Sequence, residues 1–172
     1  PVANAGPDQT VFVGNTVTLN GSGSSDADGD PLTFKWAFIS VPSGSTPALS
    51  NPAAVNPTFV VDRAGSYTVR LTVNDGTIES AADIVIVSTQ NSRPIANAGP
   101  DQTAFVGNTV TLNGSKSSDV DGDPLTYKWS FQSRPSGSSA TLQNPTTVNP
   151  TFVVDKFGDY VIQLIVNDGF VD

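Results

Sequence analysis

The chain has 172 residues with 16 acidic against 8 basic side chains, a net charge of −8. That balance argues against nucleic acid or an anionic membrane as partner, since both need a basic face, and it is compatible with cations. With no cysteine and no histidine, disulfides, thiolate metal sites and the commonest general base are excluded, and no apolar run approaches the ~20 residues of a membrane helix.

Gly, Pro, Ser, Thr, Asn and Val dominate, and no 3.6-residue apolar stripe persists, so helices are not expected. Strands are. Thr16-Val17-Thr18-Leu19 alternates, with Val17 and Leu19 inward. Leu32, Phe34, Trp36 and Phe38 alternate with Thr33, Lys35 and Ala37, the pattern of a half-buried antiparallel strand. Thr58 to Val61 reads as a short strand. Tyr67, Val69, Leu71 and Val73 alternate with Thr68, Arg70 and Thr72, and Asp83 to Val87 forms another strand. Turn clusters such as Pro42-Ser43-Gly44-Ser45 and Asn56-Pro57 separate them. About seven short strands in ~90 residues predict an all-β, immunoglobulin-like sandwich, with Tyr67 placed as its tyrosine corner.

The whole pattern occurs twice. PVANAGPDQTVFVGNTVTLNGS from Pro1 returns as PIANAGPDQTAFVGNTVTLNGS from Pro94, and about 55 of the 79 aligned positions are identical. A period that long marks tandem whole domains rather than a solenoid. The expected boundaries are a first sandwich over 1–89, a short linker with the start of the next repeat over 90–96, and a second sandwich over 94–172. The second copy ends at Asp172, aligned with Glu79, so it has no counterpart of Ser80 to Ser88 and is expected to lack its last strand. A chain that opens inside a repeat is expected to be part of a larger multidomain protein.

ANAGPDQT, the SSDADGDPLTFKW and SSDVDGDPLTYKW blocks and the GSYTVRLTVNDG ending together resemble the polycystic-kidney-disease (PKD) domain, in the variant repeated in large cell-surface and secreted proteins. The resemblance covers nearly the whole chain, twice. It implies Ig-like sandwiches that act as extracellular spacers or adhesion modules, some assisting the binding of polymers such as collagen or chitin. One departure is that the acidic, glycine-rich turn many PKD domains carry after the core tryptophan reads WAFISVPSG and WSFQSRPSG here. Whatever that turn does elsewhere does not transfer.

The aspartate runs raise the question of chemistry. Asp26, Asp28 and Asp30 match the first three ligand positions of an EF-hand, but Pro31 replaces the required glycine and Ala37 the bidentate glutamate. In an Ig-like topology the start of the first strand, the loop between the second and third, and the loop between the last two lie at one pole. That places Asn4, Asp26, Asp28, Asp30 and Asp75 together in copy one, and Asn97, Asp119, Asp121, Asp123 and Asp168 in copy two. Crowded carboxylates repel unless a cation neutralises them, and hard oxygen donors suit Ca²⁺; calcium at this pole is also what the resemblance implies. Asp30 and Asp123 precede prolines, which are expected to aim them at backbone amides. The competing reading is turn capping, in which Asp and Asn bond their own backbone. A cation near Asn97, close to the Arg93-Pro94 junction, is expected to stiffen the joint.

No catalytic constellation is visible. The serines have no histidine to activate them, two aspartates in one solvated loop do not make a glycosidase cleft, and no phosphate loop precedes a helix. Trp36 and Trp129 share the phase of core residues. Asn20-Gly21-Ser22 and Asn113-Gly114-Ser115 are formal glycosylation sequons that also read as turns. The expectation is a non-catalytic, exported spacer or adhesion module stiffened by calcium. Its alternative is an accessory module recruiting an extracellular polysaccharide or protein, collagen-like for instance, to a neighbouring catalytic domain.

Overall fold

The computed structural model describes residues 1–172 and divides into two compact units, Pro1–Asn91 and Ser92–Asp172. Both are all-β, and no helix is long and apolar enough to cross a membrane.

Unit 1 holds β1 (Gln9–Val11), β2 (Thr16–Thr18), β3 (Thr33–Ser40), β4 (Thr58–Val60), β5 (Ser66–Asn74) and β6 (Asp83–Thr89). One sheet runs β1-β6-β5-β3, with β6 parallel to β1 and antiparallel to β5; β2 and β4 form the facing pair. The alternation in sequence becomes the core. Val17 and Leu19 face in from one sheet, and Trp36, Tyr67, Val69, Leu71, Val73, Val85 and Val87 from the other, all buried. At roughly 1.5–3 kcal/mol per fully buried aliphatic or aromatic side chain, this cluster dominates the favourable side of folding.

Six regular strands form where about seven were expected. The stretch between β3 and β4 contains Pro42, Pro47 and Pro52, which have no N–H to give to a ladder. It is held by isolated bonds instead: the Trp36 N–H donates to Pro52 O (2.9 Å) and the Ser50 N–H to Thr58 O (2.8 Å).

Trp36 is core, as its phase predicted, and its Nε1–H donates to Ala54 O at 3.1 Å. A side chain at Gly21 would stand 2.9 Å from Val55 O and 3.1 Å from the Trp36 ring, so this glycine is fixed by close approach. Asn20 Oδ1 accepts from the Ser22 N–H and Oγ–H, the Asx turn expected of Asn-Gly. The tyrosine corner is present too. Tyr67 Oη accepts from the Arg63 N–H (2.9 Å) and lies 2.8 Å from Asp62 Oδ1.

Unit 2 holds β7 (Thr109–Thr111) paired with β9 (Thr151–Val153), and β8 (Thr126–Ser133) paired with β10 (Val161–Asn167). It repeats the core around Trp129, Phe152 and Leu164. As expected from Asp172 aligning with Glu79, nothing corresponds to β6. Gln102–Ala104, aligned with β1, also forms no strand: within residues 92–172 no segment stands beside it as β6 stands beside β1 in unit 1.

Candidate functional site

The DADGD loop is built as a turn first. Asp26 Oδ1 accepts from the Asp28 N–H (2.8 Å) and the Asp30 N–H (3.3 Å), and Gly29, at φ +82°, lets the chain double back between them. Copy two repeats this to the tenth of an ångström: Asp119 Oδ1 accepts from Asp121 (2.8 Å) and Asp123 (3.3 Å). One oxygen of the first aspartate is therefore a turn cap.

The other oxygen does something different. Asp26 Oδ2 lies 3.1 Å from the Pro1 nitrogen. The Asp28 N–H donated to the Asp26 carboxyl holds that group below the usual carboxylate range. In copy two, Asp119 Oδ2 is buried and has no hydrogen-bond partner. Asp121 shows the same division: Oδ2 accepts from the Ser92 N–H, while Oδ1 is buried and unpartnered. Asp123 joins them, and one carboxylate oxygen from each of Asp119, Asp121 and Asp123 falls within 4.8 Å of the others. The proline after Asp123 was expected to turn its carboxylate to backbone amides; it stands with the other two instead.

The electrostatics follow from that crowding. Burial pushes the Asp123 carboxyl up, and the charges of Asp119, Asp121 and Asp168 add to the shift. Desolvation and like charge both disfavour the ionised form here. Ca²⁺–oxygen bonds of 2.3–2.6 Å place ligand atoms up to about 5 Å apart around one ion, which this spacing fits. Buried carboxylate oxygens with no donor are the groups a hard cation satisfies.

The remaining expected residues are placed as follows. Asp75 Oδ1 accepts from the Thr77 and Ile78 N–H groups (2.7 and 2.8 Å); these bonds, Ile78 first, lower its carboxyl, and Asp26 is close enough to oppose them. Asp168 repeats the turn with Phe170 and Val171 (both 2.7 Å) and is almost fully buried. The last loop thus does approach the aspartate run in both units. Asn4 and Asn97 are engaged elsewhere: each turns Oδ1 to the N–H of the glycine two residues on, at 2.9 and 3.0 Å. In each unit a serine hydroxyl, Ser24 or Ser117, accepts the asparagine's own N–H at 3.0 Å. Sequence reasoning missed Ser92, whose backbone N–H pins Asp121; a backbone donor carries no side-chain signal.

The family described as K319L-like, PKD domain, matches residues 5–88 and 98–170. The mouse (Mus musculus) Dyslexia-associated protein KIAA0319 homolog is 34% identical over 175 residues, covering 98% of this chain and 16% of that protein. Chitinase A of Pseudoalteromonas piscicida is 36% identical over 124 residues, covering 70% of this chain and 14% of that protein. The solution structure of the PKD domain from KIAA 1837 protein is 28% identical and covers 59% of this chain and 92% of its own, with a TM-score of 0.42. This chain therefore spans about a sixth of the length of the mouse relative and a similar share of Chitinase A. With both repeats matched by one family, the chain belongs to the K319L-like PKD domain family and carries two tandem Ig-like copies of its domain.

Proposed function

We propose that the chain is a non-catalytic, extracellular spacer or adhesion module, each of whose domains gains stability from Ca²⁺ bound at its aspartate loop. The observation that supports the metal reading is the pair of buried, unpartnered oxygens, Asp119 Oδ2 and Asp121 Oδ1, on two carboxylates that cluster with that of Asp123. A cation there would be held by these three side chains and would relieve the repulsion that burial intensifies. Because Oδ1 of Asp119 caps the turn while Oδ2 is free for a ligand, turn capping and metal binding are compatible roles of one side chain. Millimolar calcium and weak, extracellular-type sites suit a module of this kind.

The spacer reading draws on where the aromatics lie. The core rings Trp36, Trp129 and Tyr67 are buried, which supports the spacer reading, while Phe105, Phe157 and Phe170 are exposed and are the rings an accessory role would use. The accessory reading draws on Chitinase A and on a pre-pro-metalloprotease of Vibrio cholerae that is 33% identical over 84% of this chain. Chitin and collagen pull-down assays separate the two, retention on either polymer favouring the accessory role.

Calcium titration by calorimetry on chelator-stripped protein tests the metal. Saturable heat with a dissociation constant of ~0.1 mM is expected, together with a stabilisation of roughly 2 kcal/mol at millimolar calcium. No heat and no shift in melting temperature would leave the aspartates as turn caps alone.

A further inference from the structure

We propose that Asn20 and Asn113 are acceptors for an N-linked oligosaccharide, one on each unit, at equivalent positions of the two repeats. The proposal rests on the extracellular reading above and is independent of the metal.

Strand alternation builds the site. Leu19 and Gly21 face the core and are buried, so Asn20 and Ser22, two residues apart, stand together on the solvent side, both exposed. Backbone bonds fix this phase: the Leu19 N–H donates to Pro57 O and the Gly21 N–H to Val55 O, each at 2.9 Å. Unit 2 repeats it. The Leu112 N–H donates to Pro150 O and the Gly114 N–H to Val148 O, again at 2.9 Å, with Asn113 and Ser115 exposed. The residue between asparagine and serine has no freedom. A Cβ at Gly21 would stand 2.9 Å from Val55 O, and one at Gly114 would stand 3.1 Å from the Trp129 ring, so the core itself puts glycine there. An acceptor motif tolerates glycine at that position and rejects proline. Asn56, Asn144 and Asn149 also have a threonine two residues on, but each has a proline between. Acceptor spacing therefore survives at one place in each repeat.

The amides present the right atom. A backbone N–H can only donate, so the Asn20 atom 3.0 Å from the Ser22 N–H and the Asn113 atom 2.9 Å from the Ser115 N–H are the oxygens. Nδ2 is the other branch of each amide, and it donates to no group of the chain. In unit 1 the Ser22 Oγ–H also donates to Asn20 Oδ1 at 2.6 Å, which lays the hydroxyl that an acceptor motif requires against its amide. An Asx turn by itself needs only Oδ1 and a backbone N–H, which any residue except proline supplies at 22 and 115. It leaves Nδ2 unused in both units, and in unit 2 it leaves the serine hydroxyl unused as well.

The reaction is a substitution at the anomeric carbon of a lipid-linked oligosaccharide. The bond from that carbon to Nδ2 forms, its bond to the phosphate oxygen breaks, the lipid pyrophosphate leaves and Nδ2 releases one proton. An oligosaccharyltransferase of the export pathway is the catalyst, and the lipid-linked sugar is the donor.

The full chain, secreted from cultured animal cells behind a cleavable signal peptide, tests this when weighed intact before and after peptide N-glycosidase. Two enzyme-sensitive mass steps are expected, with the attachment points mapped by peptide sequencing to Asn20 and Asn113. Ser22→Ala and Ser115→Ala keep the Asx turn, whose donor is the backbone N–H, and each is expected to remove one step. Ser22→Thr and Ser115→Thr should retain both. A secreted chain of unshifted mass, or steps that persist in the double alanine variant, would overturn the proposal. Because the signal peptide supplies export, an unmodified secreted chain counts against these acceptor sites and leaves the extracellular reading untouched.

Discussion

Asp119 and Asp121 are tied together through one carboxylate oxygen, and each keeps another oxygen out of that bond. The Asp121 N–H donates to Asp119 Oδ1 at 2.8 Å, while Asp119 Oδ2 and Asp121 Oδ1 are buried without a partner. Two roles on one side chain can be separated chemically, because asparagine keeps the Oδ1 acceptor and loses the charge.

Asp119→Asn is accordingly expected to leave the calcium-free melting temperature of unit 2 unchanged or slightly raised, since the turn cap survives and like-charge repulsion falls. It should abolish the calcium-dependent rise in that unit. Differential scanning calorimetry with and without calcium measures both. A variant that still responds fully to calcium would place the ion elsewhere.

Tyr67→Phe removes a buried hydroxyl that accepts the Arg63 N–H and contacts Asp62 and Ser45. The expected loss is roughly 1–2 kcal/mol, read from urea unfolding of unit 1. Tyr160→Phe should cost less, because the Tyr160 side chain is only half-buried.

Acid should unfold the chain through the same corner. The Ser45 hydroxyl, then the Thr46 N–H and the Tyr67 hydroxyl, holds the Asp62 carboxyl down at about 2, and Ser138 and Tyr160 hold Asp155 well below the ordinary carboxylate range. A depressed folded-state value means the stability is fully present above the unfolded value of about 4 and is lost as pH falls towards the folded one. Melting temperature is thus expected to drop between about pH 4 and pH 2, and Asp62→Asn should flatten the drop in unit 1.

Unit 2 should melt below unit 1, since its core is open along β10. Appending the Ser80–Thr89 sequence directly after Asp172 continues the alignment with Glu79 and is expected to raise the unit 2 transition by several degrees. An unchanged transition would mean that another segment already seals that edge.

Much of this was written in the order of residues. Period-two alternation at Val17 and Leu19, at Trp36, and from Tyr67 to Val73 is set by strand geometry, so the faces, the core tryptophans and the tyrosine corner could be read directly. The repeat gave the domain count, and the alignment of Asp172 with Glu79 gave the incomplete second sheet. Three features depended on contacts between residues far apart in sequence. The loss of the strand at Gln102–Ala104 follows from a partner that would lie across the sheet. The breakup of the chain between β3 and β4 depends on which N–H groups the fold asks for, and proline at Pro52 could offer none. Within the aspartate loop, composition could not say which oxygen faces a backbone amide and which is buried facing its neighbours. That division is set by the turn geometry and by the Ser92 N–H arriving from outside the loop, because desolvation and charge crowding exist only once separate stretches of chain have been brought together.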